Sequence, residues 1–291
     1  MHIAAPAKLN LFLDVLAREA SGYHQLETLF CALELADELE IERARAGIAI
    51  EVAGAELGPP EQNLAHRAAA AYFAARGDTG GVRVRLHKSI PAGAGLGGGS
   101  SDAAAVLRAL DRIHDAPLGG TRLLAIAAEL GSDVPFFLCG SPLALAWGRG
   151  GRLLPLEPLP AADVLLVVPG RGMATGEAFA ALAREASTAP PAARVLRADR
   201  LCDWEDIAAL ARNDFEPIAF AAMPELARAK RLLLEHGAVT ALLTGSGATV
   251  YGVFRDRERL GLAAETLARE LPAVHLIRTR TAAPPRPLPF G

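Results

Sequence analysis

The sequence predicts an α+β protein of two domains, and three observations carry that prediction. With 291 residues, 51% of them hydrophobic and only 22% charged, the chain can bury a substantial core and divides naturally into two units of ordinary size. Short stretches alternate apolar and polar residues with period two, while others are Ala-rich runs bounded by helix caps. Between residues 148 and 160 a Gly/Pro-rich passage interrupts the pattern, which puts the domains at 1–158 and 159–291.

The first strand is expected from Leu9, where Leu9, Leu11, Leu13 and Val15 alternate with Asn10, Phe12 and Asp14. One face should be buried, and Lys8 and Asn10 share the other. Residues 28–42 and 48–52 read as further strands, although the glutamates interleaved in the first leave a helix open. Asn63 is placed to cap a helix running through Ala75 and ended by Gly77. A strand over residues 82–87 then leads into a glycine-rich stretch. Ser100, Ser101 and Asp102 supply capping chemistry for a helix to about His114, followed by a second helix over 121–130. Pro135 suits a first helical turn, which puts Asp133 at a helix N-terminus. A strand over 143–147 closes the first domain.

The second domain opens on the apolar run 164–168, a strand, then a helix over 175–183 and a Pro/Ala/Arg-rich connection near 187–200. A helix over 223–236 follows. Strands at 241–244 and 249–254 flank Gly245-Ser246-Gly247, and a helix over 257–271 precedes a last strand at 274–277. Two helices over a mainly antiparallel sheet is the expected layout.

A formal net charge of −3 offers no global basic field for a nucleic-acid backbone or an anionic membrane. Any anionic ligand must therefore be held locally. Cys31, Cys139 and Cys202 lack the spacing of a zinc site or a disulfide framework. No secretory signal opens the chain and no uninterrupted apolar stretch would span a bilayer, so the expected address is the cytoplasm.

The strongest motif is Pro91-Ala92-Gly93-Ala94-Gly95-Leu96-Gly97-Gly98-Gly99-Ser100-Ser101, five glycines between a strand and a helix. Glycine lets backbone amides approach a ligand without an intervening Cβ, and the helix beyond adds free N–H groups and a positive dipole end. Polyphosphate is the natural occupant. A dinucleotide fold would continue into a strand, whereas here a second helix follows. A P-loop would end in GK[ST], and a protein kinase would carry HRD and DFG; none of these strings is present. Asp133 is either a helix cap or a carboxylate that orients a hydroxyl for phosphoryl transfer. Lys8 is either a solvated strand lysine or a cation that neutralises a transferring phosphate.

The segments Pro6 to Leu13, Gly22-Tyr23-His24, Pro91 to Asp102, Gly131 to Phe137 and Thr244 to Thr249 occur here in an order that resembles the GHMP kinase superfamily. The resemblance spans nearly the whole chain. It implies an N-terminal α+β domain that binds ATP, a ferredoxin-like C-terminal domain, and an active site in the cleft between them. It also implies Asp133 as general base, Lys8 as its electrostatic partner, Pro91 to Ser101 as the ATP site and Mg²⁺ on the triphosphate, with no protein metal ligands assigned. Pairing the first segment with Gly22-Tyr23-His24 is most similar to the branch whose small-molecule substrate is methylerythritol linked to cytidine diphosphate, in non-mevalonate isoprenoid synthesis. There Tyr23 and His24 would face the cytidine and Phe179 would close a stacking sandwich. Asn10, Thr175, Gly245, Ser246 and Gly247 would contact substrate, in a monomer or homodimer. Gly151 and Ser21 depart from the usual Glu and Asp of that pattern, with modest effects expected. The rival readings are a related kinase with another alcohol acceptor and a non-catalytic nucleotide-binding relative.

Overall fold

The structure, a computed structural model, describes residues 1–19, 24–55, 58–78, 80–185 and 195–282. Its chain order is β1 (His2–Arg18), β2 (His24–Ala44), β3 (Gly47–Ala53), α1 (Leu64–Arg76), β4 (Gly81–His87), α2 (Gly98–Ile113), α3 (Gly120–Leu130), α4 (Val134–Leu138), β5 (Leu143–Gly148) and β6 (Arg152–Pro155). There follow β7 (Asp163–Pro169), α5 (Thr175–Glu185), α6 (Trp204–Leu210), α7 (Glu216–Ala222), α8 (Pro224–Glu235), β8 (Thr240–Leu243), β9 (Val250–Phe254), α9 (Arg257–Glu270) and β10 (Val274–Arg280).

The long β2 organises the first sheet, whose order is β3-β4-β2-β5-β6 with β1 also paired to β2. Residues 26–31 of β2 pair with β5 and residues 38–44 with β4, both antiparallel, and only β3–β4 is parallel. The glutamates of β2 do not make it a helix, because Leu29, Phe30, Leu33, Leu39 and Ile41 are all buried in a sheet that packs on both sides. Helices α1 to α4 cover one face through Ala68, Tyr72, Val106, Leu110 and Phe136.

The second sheet runs β10-β7-β9-β8, entirely antiparallel, with α9 joining β9 to β10 and α5 to α8 joining β7 to β8. This is the ferredoxin-like arrangement expected above. Helices α6, α7 and the short β6 have no counterpart in the expected layout, since each is only four to seven residues long and too short for periodicity to register. The connection expected near 187–200 falls outside the described residues as far as 194.

One expectation fails instructively. β1 begins at His2 rather than Leu9, and both of its faces are buried: Leu9 and Leu11, but also Lys8, Asn10 and Phe12. The strand lies between layers, with Leu9 and Leu11 packed among Val164, Leu166, Leu242, Tyr251 and Trp204 of the second unit. Register shifts at Pro6/Lys8 and Asn10/Phe12 break strict alternation, which is how Leu11 and Phe12 join one cluster.

Candidate active site

The glycine stretch leaves β4, crosses between the two sheets and starts α2. Gly93, Gly95 and Gly97 take left-handed φ of 66°, 79° and 74°. Gly95 is needed for a second reason: a Cβ there would lie 2.3 Å from the Thr244 carbonyl oxygen. Gly97 caps α2, so the helix begins at Gly98, two residues before the serines, and no side chain caps it. The first helical hydrogen bond runs from Ser101 N to Gly97 O, 2.9 Å, which leaves the amides of Gly98, Gly99 and Ser100 without intrahelical acceptors. Pro91 to Ser100 line a cavity of about 620 Å³. Ser101 does not: it is 1% exposed and turns inward against a separate cavity, because its position one turn into α2 faces the core.

Across the cavity mouth, Asp133 precedes α4 in the capping position yet makes no capping hydrogen bond. Its Oδ2 lies 3.4 Å from Lys8 Nζ, and the Lys8 side chain is 3% exposed against 28% for Asp133. Lys8 Nζ also donates to Asn10 Oδ1 at 2.7 Å and sits 5.5 Å from the Phe30 ring centroid. The lysine is thus a desolvated strand residue, not a solvated one.

Asn10 lines the cavity but is 1% exposed and heavily committed. Besides Lys8, its Oδ1 accepts from Gly245 N at 2.8 Å and Thr244 Oγ1 at 3.2 Å, and its Nδ2 donates to Thr28 Oγ1 at 2.8 Å. Its geometry is that of a positioning residue. Within the Gly245-Ser246-Gly247 turn, expected to contact substrate, Gly245 N is therefore taken, and Gly247 N donates to Thr244 O at 3.2 Å. Ser246 retains its amide, while its hydroxyl donates to Thr175 Oγ1 at 3.2 Å. All three loop residues and Thr175 line the cavity.

Phe179, on α5, also lines the cavity. Its ring stacks on His24, with centroids 4.7 Å apart and 24° between planes, and meets Phe215 edge-on at 4.8 Å and 87°. His24 itself is set behind Phe179 and does not line the cavity. Tyr23, and Ser21 with it, lie outside the described residues.

Sequence reasoning missed one cluster. Lys88 Nζ pairs with Asp37 Oδ2 and, at 2.7 Å, with Asp102 Oδ2, all three groups being buried. Asp37 Oδ1 accepts from Ser89 N at 2.6 Å and Ile90 N at 2.8 Å, so the cluster pins the entrance of the glycine loop. Two carboxylates share one ammonium here. Burial pushes the Asp102 pKa up to about 7, against the opposing pull of Lys88 and with a smaller contribution from Asp37. Lys88 and Asp102 line the cavity and flank the glycine string, which was the available signal; Asp37, some 50 residues upstream in an ordinary strand, offered none.

Comparison with known proteins points to one family. The family model described as GHMP kinases N terminal domain matches residues 63–141, and that described as GHMP kinases C terminal matches residues 196–273. A 4-diphosphocytidyl-2-C-methyl-D-erythritol kinase of Pelotomaculum thermopropionicum is 44% identical over 256 residues, 87% of this chain and 89% of its own. Its counterpart in Moorella thermoacetica is 39% identical over 96% of this chain and 99% of its own. A crystal structure of 4-(cytidine 5'-diphospho)-2C-methyl-D-erythritol kinase superposes with a TM-score of 0.79 at 36% identity, covering 97% of this chain and 100% of the other. The mevalonate kinase of Methanococcus jannaschii, at 14% identity and a TM-score of 0.68 over 97% of this chain and 98% of its own, has the same fold. With its glycine loop, its two sheets and these relatives, the chain belongs to the GHMP kinases.

Proposed function

We propose that the protein transfers the γ-phosphate of ATP to the 2-hydroxyl of 4-diphosphocytidyl-2-C-methyl-D-erythritol. The observation that carries the reading is the Lys8–Asp133 pair, 3.4 Å apart, at a cavity whose other wall is the glycine loop. Asp133 is the general base: its carboxylate, free of capping duty and partly exposed, takes the hydroxyl proton as the oxygen attacks phosphorus. Lys8 supplies positive charge where negative charge spreads over the transferring phosphoryl oxygens. Asn10 holds Lys8 in place and ties it to the Gly245 loop. The free amides of Gly98, Gly99 and Ser100 and the α2 dipole suit the phosphates of ATP.

Mg²⁺ would neutralise the triphosphate. Among the described residues no three His, Cys, Asp or Glu side chains cluster to hold it. Phosphate oxygens would supply most of its coordination, as Mg²⁺ prefers, and the Ser100 hydroxyl at the cavity wall would be available to it. The cytosine is assigned to the aromatic group made by Phe179, His24 and, by resemblance, Tyr23. A domain division at 158/159 accompanies the proposal, supported by β6 ending at Pro155 and β7 starting at Asp163.

Incubating the protein and ATP with a panel of alcohols tests the reading. ADP should form with the cytidylyl substrate, with phosphate found on its 2-hydroxyl. Preferential turnover of homoserine or mevalonate would reject it, and absence of any transfer would favour a non-catalytic relative.

A further inference from the structure

A second cavity, of about 250 Å³, lies on the core side of the α2 start, where Ser101, Ala105 and Arg108 face Phe136, Phe137 and Pro142. Its walls are mostly hydrocarbon. Two polar groups in them have no partner among the described residues: the Ser101 hydroxyl, on a residue 1% exposed, and the buried Nε of Arg108. The guanidinium makes a single hydrogen bond among the described residues, from Nη2 to the Phe137 carbonyl, although it carries five N–H donors. No carboxylate among the described residues pairs with it; Glu34, which also lines the cavity, is exposed and forms no ion pair there. Burial and, secondarily, the like charge of Arg112 push its pKa down. A guanidinium held against hydrocarbon with one neutral acceptor and an unsatisfied Nε is a cation that an anion in the cavity would complete.

We propose that this cavity is a second binding site, for a small anion that carries a short hydrocarbon group. A carboxylate or phosphate ester head would pair with the terminal nitrogens of the Arg108 guanidinium, and its apolar part would lie against Ala105, Phe136 and Phe137. The volume suits a ligand well below drug size. Phe137 lines this second cavity and reaches toward the glycine loop of the first. Its Cζ lies 3.2 Å from where a Gly97 Cβ would stand, and that same point is 2.9 Å from Lys8 Cγ. A ligand packed on Phe137 therefore meets the side chain that braces the glycine loop, so its affinity and that of ATP are linked. The linkage rests on the function proposed above; the binding site does not.

Calorimetric titration of the full chain tests both parts, with hexanoate and hexyl phosphate as probes and hexanol as the uncharged control, with and without a non-hydrolysable ATP analogue. One or both anions should bind with 1:1 stoichiometry, and hexanol at least about tenfold more weakly, as expected for loss of a charge-assisted pair. Arg108→Gln should weaken anion binding by a similar factor. Ala105→Leu, which fills the cavity and keeps the guanidinium, should do the same, and it decides the matter if Arg108→Gln fails to fold. Saturating nucleotide should shift anion affinity to a plateau. The site is overturned if neither anion binds below about 10 mM, a level corresponding to negligible affinity. It is equally overturned if hexanol binds as well as the anions, if foldable variants bind like the parent, or if affinity falls without limit as nucleotide rises, which is competition in the first cavity. A plateau indistinguishable from the nucleotide-free value removes the linkage alone.

Discussion

Lys8 and Asn10 stand two residues apart on one face of β1, and the short span between them lets the amide hold the ammonium directly, at 2.7 Å. A lysine fixed in this way has already lost its rotamer freedom, so its charge is in place before any phosphate arrives. Asp133→Asn keeps the shape of the partner and removes the base. It should lower kcat by at least about 10²-fold with little change in ATP affinity, as measured by steady-state kinetics and nucleotide titration. A near-parental kcat would take Asp133 out of the chemistry. Phe179→Ala removes the cavity-lining ring of the aromatic group and should raise KM for the cytidylyl substrate about tenfold or more while kcat moves little, because stacking is present in ground and transition states alike. An unchanged KM would place the base elsewhere. Asp102 gives a pH signature. Its folded pKa, about 7, is above the ordinary 3.8, so the native state holds the proton more tightly and stability falls as pH rises from about 4 to about 7. Urea denaturation at pH 5 and pH 8 should find the stability of the parent relative to Asp102→Asn greater at pH 5. The difference is bounded by about 3 kcal/mol, since the native group holds its proton over the roughly two pH units from 5 to about 7 while the unfolded one does not. A difference that grew with pH would mean that Lys88 outweighs burial.

At the scale of elements, the glycine loop and the Thr244–Gly247 turn are built against each other. Thr249 N donates to Ala94 O at 3.3 Å and Thr244 Oγ1 lies 3.3 Å from Gly95 O, so a loop from one unit is seated on a turn from the other. Two glycines in that loop separate conformational strain from collision. Gly93 has a left-handed φ but open space around it, and Gly93→Ala should cost about 1–2 kcal/mol, the strain alone. Gly95 has both the φ and a backbone oxygen 2.3 Å from the added Cβ. Gly95→Ala should cost about 2–5 kcal/mol and weaken ATP binding far more than Gly93→Ala, by thermal denaturation and nucleotide titration. Equal effects would show that the contact with Thr244 does not matter. The glycines themselves were plain in the sequence, and so was the Asn63 cap, whose side chain does accept from Ala65 N at 2.9 Å. The start of α2 was not, since a glycine in the left-handed region can take the capping place that serines normally hold, and nothing local marks which of several glycines will do so.

Across the whole molecule, β1 belongs to the first sheet by its hydrogen bonds and to the second by its packing. Leu9 is fully buried in the cluster shared with Val164, Leu166 and Tyr251, and Tyr251 donates its hydroxyl to Asn10 O at 2.9 Å. Leu9→Ala should cost about 2–5 kcal/mol, and unfolding should remain a single transition by circular dichroism and fluorescence, because the cavity opens in a core that both sheets share. Two separated transitions would show that the units are independent. The sequence by itself determined the α+β class, the strands that alternate, the phosphate-suited loop and the residue types able to transfer a phosphoryl group, since each is written in neighbouring residues through periodicity, caps and glycine. Tertiary structure alone decided that Lys8 is buried, that Asp133 pairs instead of capping, that Asn10 is a brace, that Phe179 stacks on His24 and that Asp37 joins Lys88 and Asp102. Those facts depend on groups brought together from up to 235 positions apart, as from Asn10 to Gly245, and no local pattern encodes which distant surface will meet a given side chain.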